Sequence, residues 1–283
     1  MNGRHSRAVL NGAASAQAWQ GSSVLTQVTV LTRRAVLDYL SDPRTVVTGL
    51  VQPVIWLFLL TSLFSKFGRP PGFPPGVSYF DYVLPAVLVN TALQASSQTG
   101  TGLIEELRNG IVPRLRSLPV LPSSLLTARS ITGLLRTAVQ LLVMMTLAQL
   151  TQGNLSRGGL AGLMVSLGLT LLIGWSLGWV FLAVSAWIRR IDTVQSLSFM
   201  VLFILTFASS AYVPVRDLPT VLRVIATVNP LTYAINATRA ILLQTPGGTG
   251  AIGPAILISL VIGAAGTFAA VGLFRRPLEM TRR

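Results

Sequence analysis

The composition of this 283-residue chain excludes a soluble protein. Hydrophobic residues make up 51% of the sequence and charged residues 11%, whereas a soluble domain carries roughly 25% charged residues. The chain is therefore predicted to be an integral membrane protein. Its 22 basic residues outnumber 8 acidic ones and give a net charge of +14. Because the arginines lie mostly in short segments between apolar runs, this charge favours contact with anionic lipid headgroups over nucleic acid.

Cysteine and histidine usage excludes several kinds of chemistry. The sequence has no cysteine and a single histidine, His5, which lies near the N-terminus. Disulfides, thiolate catalysis and cysteine metal sites are therefore excluded. One histidine cannot form a histidine metal site or a catalytic pair.

The N-terminal region divides into a tail and an amphipathic segment. Residues 1–18 are small and polar and are predicted to form a flexible cytoplasmic tail. In residues 19–44, apolar side chains recur every three or four positions, as at Val24, Val28 and Leu31. This spacing predicts an amphipathic helix on the membrane surface, and a helix packed on another protein is the alternative. Polar side chains are expected on its other face, namely Gln27, Arg33 and Arg34.

Six later stretches are apolar enough to cross a bilayer, and together they define a transmembrane domain over residues 45–274. A hydrocarbon core about 30 Å thick needs about 20 apolar residues in a helix. The predicted spans are residues 45–65, 80–100, 128–150, 160–187, 193–213 and 249–274.

The distribution of basic residues predicts the orientation of these spans. Six spans place both chain ends on one side, and most arginines fall in segments on that side. Because cytoplasmic segments carry the excess of lysine and arginine, both termini are predicted to be cytoplasmic. Residues 275–283 then form a cytoplasmic C-terminal tail.

The segment that follows the second span has the pattern of a short surface helix. Leu103, Leu107, Ile111 and Leu115 recur every four residues and would form one apolar stripe. The charged side chains would lie on the other side of the helix, namely Glu105, Glu106, Arg108 and Arg116. An inner loop whose arginines reach the headgroups is the alternative.

The passage before the last span is semi-polar and interrupted by prolines. Pro219 and Pro230 each suit the start of a short helix. One face of the first helix is apolar (Val221, Leu222, Ile225 and Val228), as is one face of the second (Leu231, Ala234, Ile235 and Thr238). Irregular backbone at membrane depth requires protein or water to satisfy its amide groups. The passage is therefore predicted to be a pair of re-entrant half-helices, and a surface loop with two turns is the alternative.

Two predicted spans carry polar side chains within their apolar sequence. In the membrane such side chains face either a partner helix or a cavity, so helix packing and a substrate path both remain open. Arg136 is the one charge well inside a span, and its role also remains open. The candidate path residues are Asn90, Gln94 and Ser97 in the second span and Thr206, Ser209 and Ser210 in the fifth.

The chain lacks the sequence features of a membrane protein that powers its own transport. Lys66 is the one lysine and has no glycine-rich phosphate-binding loop around it. No acidic residue lies in the middle of a predicted span, whereas ion-driven transporters normally need such carboxylates. No cluster typical of an enzyme active site is present either.

The order of these features resembles the type-2 ATP-binding-cassette (ABC) exporter permeases. The shared features are a surface helix, six spans, a charged inner segment and an Asn-Pro-Leu-Thr-Tyr run before the last span. Within that family the chain looks most similar to permeases of the daunorubicin-resistance type. The resemblance implies an all-α integral membrane fold with six transmembrane helices, an N-terminal interfacial amphipathic helix, a cytoplasmic coupling helix and re-entrant half-helices before the last span.

The resemblance also implies roles for residues in two of these segments. The inner segment would dock on the ATP-hydrolysing subunit and transmit its motion, through Glu105, Glu106, Leu107, Arg108, Gly110 and Leu115. The outer passage would form the gate on the exit path, through Pro219, Asn229, Pro230, Thr232 and Tyr233.

Function and partners follow from the same resemblance. The chain would be a non-enzymatic subunit in a bacterial plasma membrane that exports a hydrophobic drug or a complex lipid. It would bind no cofactor directly, because ATP and Mg²⁺ would bind to the separate ATPase subunit. A second permease copy or a paralogue and membrane lipids are the other implied partners, and nucleic acid is not one. Export of a polysaccharide or glycolipid, or ion-coupled secondary transport, remains an alternative.

Overall fold

The described structure, a computed structural model, is entirely helical. It describes residues 24–41, 43–64, 77–108, 122–152, 159–244 and 248–274, and no strand occurs among them. The predicted tails at residues 1–18 and 275–283 lie outside the described residues, and so do Gly110 and Leu115. The helices, in chain order, are α1 (Val24–Ser41), α2 (Pro43–Phe64), α3 (Tyr79–Arg108), α4 (Pro122–Gln152), α5 (Gly159–Ile188), α6 (Ile191–Phe207), α7 (Thr220–Val228), α8 (Pro230–Leu243) and α9 (Ile252–Phe274).

Three of these helices, α4, α5 and α9, are long and apolar enough to cross a membrane. Two shorter apolar stretches, Gly49–Leu63 in α2 and Ile191–Phe207 in α6, overlap the first and fifth predicted spans. Helix α3 is long enough but carries more polar residues. The number of six spans therefore stays a prediction.

Helix α5 forms the centre of the bundle because small residues let its neighbours approach closely. A Cβ atom added at Gly100 on α3 would lie 2.8 Å from the carbonyl oxygen of Phe181 on α5. On the opposite side, a Cβ atom at Gly266 of α9 would lie 2.9 Å from the backbone nitrogen of Val180. Such close backbone contacts are a main source of helix association in membranes, where the hydrophobic effect is weak.

Helix α1 packs against α4. Gln27, which the sequence placed on the polar face, is instead buried, and its Oε1 accepts a hydrogen bond from the hydroxyl group of Ser124 at 3.0 Å. Arg33 and Arg34 remain exposed, as expected, and so does the apolar Val30. One face of α1 therefore packs on the bundle and includes a buried amide–hydroxyl hydrogen bond.

Helix α3 continues past the predicted end of the second span. Residues 103–108, predicted as part of a separate surface helix, form its last turns because Leu103 and Ile104 are completely buried. Leu103 packs against Leu125 and Leu126 of α4. The inner segment is thus anchored in the bundle at its start, and residues 109–121 lie outside the described part.

Helix α6 ends at Phe207, six residues before the predicted end of the fifth span. Ser209 provides local alternatives to helical hydrogen bonds, since its hydroxyl group donates to the Thr206 carbonyl at 2.7 Å and accepts from the Ala211 amide at 3.2 Å. Serine side chains commonly compete with helix formation in this way. A turn, bends and a short 3-10 helix at Val215–Asp217 then lead to α7.

Two short helices, α7 and α8, occupy the positions of the two predicted half-helices. On α7 the apolar Val221, Val224 and Val228 are exposed, as expected for a surface that faces lipid. On α8 the predicted apolar face is buried in the bundle, with Leu231 and Ile235 completely inaccessible. We call residues 208–243 the outer element, after the side of the membrane that the sequence predicts for them.

Candidate functional site

A cleft of about 460 Å³ lies between α2, α3 and α6. Helix α2 contributes Gln52, Pro53 and Trp56 to its lining. Helix α3 contributes a mainly polar wall and α6 a mainly aromatic wall, and Tyr212 of the outer element completes the lining. The volume falls within the range of about 300–1,000 Å³ that is typical of small-molecule sites.

Four of the six predicted path residues line the cleft. Asn90, Gln94 and Ser97 of α3 line the cleft together with Thr206 of α6. The hydroxyl group of Thr206 donates to Asn90 Oδ1 at 2.8 Å and thereby joins the two walls. This bond orients the Asn90 side chain, whose buried Nδ2 atom has no hydrogen-bond acceptor.

The other two predicted path residues do not line the cleft. Ser209 binds the backbone at the end of α6, as described above, and is buried. The hydroxyl group of Ser210 donates to Asn236 Oδ1 on α8 at 2.7 Å. Both serines therefore stabilise the outer element.

An aromatic wall stands across from these polar groups, and sequence reasoning missed it. Phe199, Phe203 and Phe207 follow each other at intervals of four residues, and Tyr212 extends the row. Successive ring centroids are 6.5, 4.6 and 5.7 Å apart, so neighbouring rings lie at distances that favour aromatic contact. The spacing of four was visible in the sequence, but an apolar row on a predicted span equally suits lipid contact.

The lining of the cleft is amphipathic and uncharged. None of its lining residues, all of which the structure describes, is acidic or basic. The polar wall offers amide and hydroxyl groups, and the aromatic wall offers flat apolar surface. This arrangement can hold a molecule that has an apolar body and uncharged hydrogen-bonding groups.

The predicted gate residues lie together in the outer element. Pro219 precedes α7 and Pro230 is the first residue of α8, with Asn229 at the junction of the two helices. Thr232 is buried in α8. The hydroxyl group of Tyr233 donates to the Thr227 carbonyl at 2.7 Å and joins α8 back to α7.

The described coupling candidates lie in the last turn of α3. Glu105 and Arg108 are exposed, and Leu107 packs in the cluster around Leu103. Glu106, by contrast, points into the bundle and forms an ion pair with Arg129 of α4, with an N–O distance of 3.0 Å. Glu106 lies beyond the predicted span 80–100. Burial raises the pKa of its carboxyl group, and Arg129 opposes this shift.

Arg136 also lies near this ion pair. It lines a cavity of about 230 Å³ with Glu106 and Arg129, between α1, α3 and α4. The charge inside the third predicted span is therefore directed towards a polar cavity at the end of the bundle that holds Glu106. That location agrees with the rule that charged side chains in membranes face protein or water.

Comparison with known proteins shows which family and which proteins this chain is similar to. The model of the ABC-2 type transporter family matches residues 26–243, a range that includes the cleft, the end of α3 and the outer element. The daunorubicin resistance ABC transporter permease protein DrrB1 of Streptomyces coeruleorubidus is 27% identical over 76% of this chain and 74% of its own length.

Two further relatives have similar coverage. The probable doxorubicin resistance ABC transporter permease protein DrrC of Mycobacterium tuberculosis is 23% identical over 78% of each chain. The putative transport permease ycf38 of Pyropia yezoensis is 27% identical over 77% of this chain and 74% of its own length. The family match and the apolar helices together show a protein embedded in a membrane.

Cysteine labelling tests whether the cleft is open to water. Because the chain has no cysteine, single substitutions give unambiguous signals. Gln94→Cys, in the cleft, is expected to react with a small polar thiol reagent, since the reactive thiolate requires water. The matched control is Ser96→Cys, two residues away, because Ser96 is 3% exposed and its hydroxyl group donates to the Gly174 carbonyl. Equal reaction rates at the two positions would contradict a cleft that is open to water.

Proposed function

This chain belongs to the ABC-2 type transporter family, and on that premise we propose that it is the permease subunit of an exporter. The proposed substrate is a hydrophobic drug or a complex lipid, taken from the cytoplasm or the inner leaflet of a bacterial plasma membrane. ATP and Mg²⁺ bind to a separate ATPase subunit. The permease itself provides the pathway.

The cleft between α2, α3 and α6 is the observation that supports this proposal most strongly. Its aromatic wall suits the apolar body of such a substrate, and the amides and hydroxyls of α3 suit its polar groups. The lining has no charged side chain, so it suits the flat apolar part of a drug rather than a charged group on it. Two relatives carry names that refer to resistance to daunorubicin or doxorubicin, which favours a drug over a polysaccharide or glycolipid.

The lining of the cleft argues against ion-coupled secondary transport. Proton- and sodium-driven transporters normally use acidic side chains near the substrate site. The described residues place no carboxylate in the cleft. An external source of energy therefore agrees better with the site.

The last turn of α3 is the proposed contact with the ATPase. Glu105 and Arg108 are exposed there, on a helix whose middle part carries the cleft residues. A push on this rigid helix reaches Gln94 and Asn90 directly. Glu106 anchors this turn to α4 through its ion pair with Arg129. Gly110 and Leu115 stay predicted contacts. Two permease copies, identical or paralogous, and two ATPase subunits make up the proposed complex.

Drug binding tests the aromatic wall. Phe203→Ala is expected to weaken the binding of doxorubicin about tenfold, because an aromatic contact contributes about 0.5–1.5 kcal/mol beyond its buried area. Titration of the purified chain in nanodiscs, followed by the fluorescence of the drug, measures the affinity. Phe268→Ala is the control, since Phe268 on α9 is 81% exposed and lies outside the cleft. Equal affinities of the two variants would show that the aromatic wall does not contribute to drug binding.

Co-purification tests the energy source. The chain is expected to purify from its host membranes with an ABC ATPase whose activity the drug stimulates. Arg108→Glu reverses an exposed charge and should reduce both recovery of the ATPase and its stimulation. Arg216→Glu is the matched charge reversal, since Arg216 is exposed and lies near Tyr82 at the start of α3, and it should leave recovery of the ATPase unchanged. Transport by the permease alone, without any ATPase, would contradict the proposed function.

A further inference from the structure

Asn229 joins the outer element to the end of α6. Its side chain is 2% exposed, and Oδ1 accepts a hydrogen bond from the Leu231 amide at 2.9 Å, which caps the start of α8. Its Nδ2 donates to the carbonyls of Leu205 and Ala208 at 2.7 and 2.6 Å. The Leu205 carbonyl lies in the last turn of α6 and the Ala208 carbonyl directly follows it, where no later helical amide is available. One side chain therefore satisfies both a helix start and a helix end.

Arg239 joins the outer element to α3. The residue is 8% exposed, and its Nε donates to the carbonyl of Tyr82 at 3.1 Å. Nη2 donates to the Ser210 carbonyl at 2.9 Å, and Nη1 donates to Asn236 Oδ1 at 3.2 Å. The guanidinium carbon lies 3.7 Å from the centroid of the Tyr82 ring, a cation–π contact. The planar guanidinium group thus connects three chain segments at once.

These contacts hold both walls of the cleft at their outer ends. Tyr82 lies on α3, two turns before Asn90, and Leu205 lies on α6 beside Thr206. Ser210 belongs to the segment that places Tyr212 in the cleft.

Helix α2 meets this region through apolar packing, since Leu57 is 3% exposed and lies in one cluster with Tyr82 and Leu242. A described hydrogen bond of α2 leads elsewhere, because the Gly49 carbonyl accepts from Gln140 of α4 at 3.3 Å. Apolar contacts have no fixed direction, so α2 can slide where hydrogen-bonded segments cannot.

We propose that Asn229 and Arg239 are positioning residues that lock the outer element, the outer end of α3 and the end of α6 into one rigid block. The cleft then opens and closes by movement of α2 against this block. The gating role of the block rests on the proposed function, whereas its rigidity does not. A substrate that contacts Tyr212 or Phe207 acts directly on the outer element, since both residues belong to this block.

Pairs of spin labels test the block, and the absence of native cysteines makes the labelling specific. The first pair, Met200→Cys with Val224→Cys, lies within the block on exposed positions of α6 and α7. The second pair, Ile55→Cys with Val224→Cys, reports on α2 relative to the block. A reference pair on α5 and α9, Val165→Cys with Leu257→Cys, monitors the rest of the bundle. Distances are measured by electron–electron resonance in nanodiscs, with labelled chain diluted in unlabelled chain.

In the otherwise unmodified chain, the distance between the labels of the second pair is expected to change when doxorubicin is added. The distances within the first and reference pairs should stay unchanged. Asn229→Asp keeps the oxygen that caps α8 but replaces the amide donor by an oxygen that repels the two α6 carbonyls. Arg239→Lys keeps the charge but cannot reach the three acceptors together. Each substitution should broaden the first distance distribution and add a longer component. An unchanged reference pair shows that the fold has been kept.

Arg223→Gln is the matched control. Arg223 lies on α7 and donates to the Arg216 and Leu218 carbonyls, within the outer element itself. The first pair should therefore keep its distribution in this variant. The proposal is overturned if Asn229→Asp and Arg239→Lys leave the first pair unchanged, or if that pair shifts with the drug in the unmodified chain. Failure of the ATPase to co-purify would overturn the proposed function and leave the distances within the block unaffected.

Discussion

The structure depends on how a membrane-embedded chain satisfies its backbone where a helix is interrupted. An unpaired amide or carbonyl in hydrocarbon costs several kcal/mol, so a break between helices persists only where side chains replace the lost hydrogen bonds. Helix α6 stops at Phe207, and the next long helix starts at Ile252. Ser209, Asn229 and Arg239 provide the replacements in between. Together with the buried apolar face of α8, they position the outer element relative to the cleft.

This constraint explains the Asn-Pro-Leu sequence at the junction of α7 and α8. Proline at the first position of a helix needs no hydrogen bond to its nitrogen and is already shaped for the helical turn. Asparagine before it offers both an acceptor for the following helix and a donor for the carbonyls of α6. An aspartate would cap α8 equally well but would bring a negative charge against two carbonyl oxygens. The pairing of a cap and a tertiary contact therefore requires an amide.

In the proposed transporter, the cleft binds the substrate and the inner end of α3 receives the energy. The cleft supplies shape, aromatic surface and uncharged polar groups, whereas Glu105, Glu106 and Arg108 lie at the inner end of α3, where Glu106 pairs with Arg129 of α4. Because α3 is continuous from Tyr79 to Arg108, both regions lie on one rigid rod. Energy supplied at the inner end can reach the cleft without any local rearrangement.

Much of the helical framework was predictable from the sequence because it depends on local signals. The lengths of apolar runs located the long helices, and Pro219 and Pro230 located the starts of the two short ones. The polar positions at Asn90 and Gln94 predicted an internal partner, but the sequence left open whether that partner was a neighbouring helix or a cavity. The family match and the relatives then confirmed the resemblance to ABC-2 permeases.

What the sequence did not predict depends on contacts between distant residues. The spacing around Leu103 suggested a separate surface helix, but burial against α4 extended α3 through those residues and turned Glu106 inward. The aromatic row on α6 could not be distinguished from a lipid-facing surface, because periodicity does not tell which neighbour a helix face meets. Likewise, the buried environment of Arg239 results from three acceptors, two of which lie far away in the sequence.

In the proposed function this chain is a passive pathway driven from the cytoplasmic side. The sidedness of the end of α3 tests this, with Glu105→Cys and Thr220→Cys probed in intact cells by a membrane-impermeant maleimide. Thr220→Cys, on the outer element, is expected to be labelled, and Glu105→Cys only after the cells are opened. If Glu105→Cys were labelled from outside in intact cells, no cytoplasmic ATPase could act on this helix, and the proposed function would be wrong.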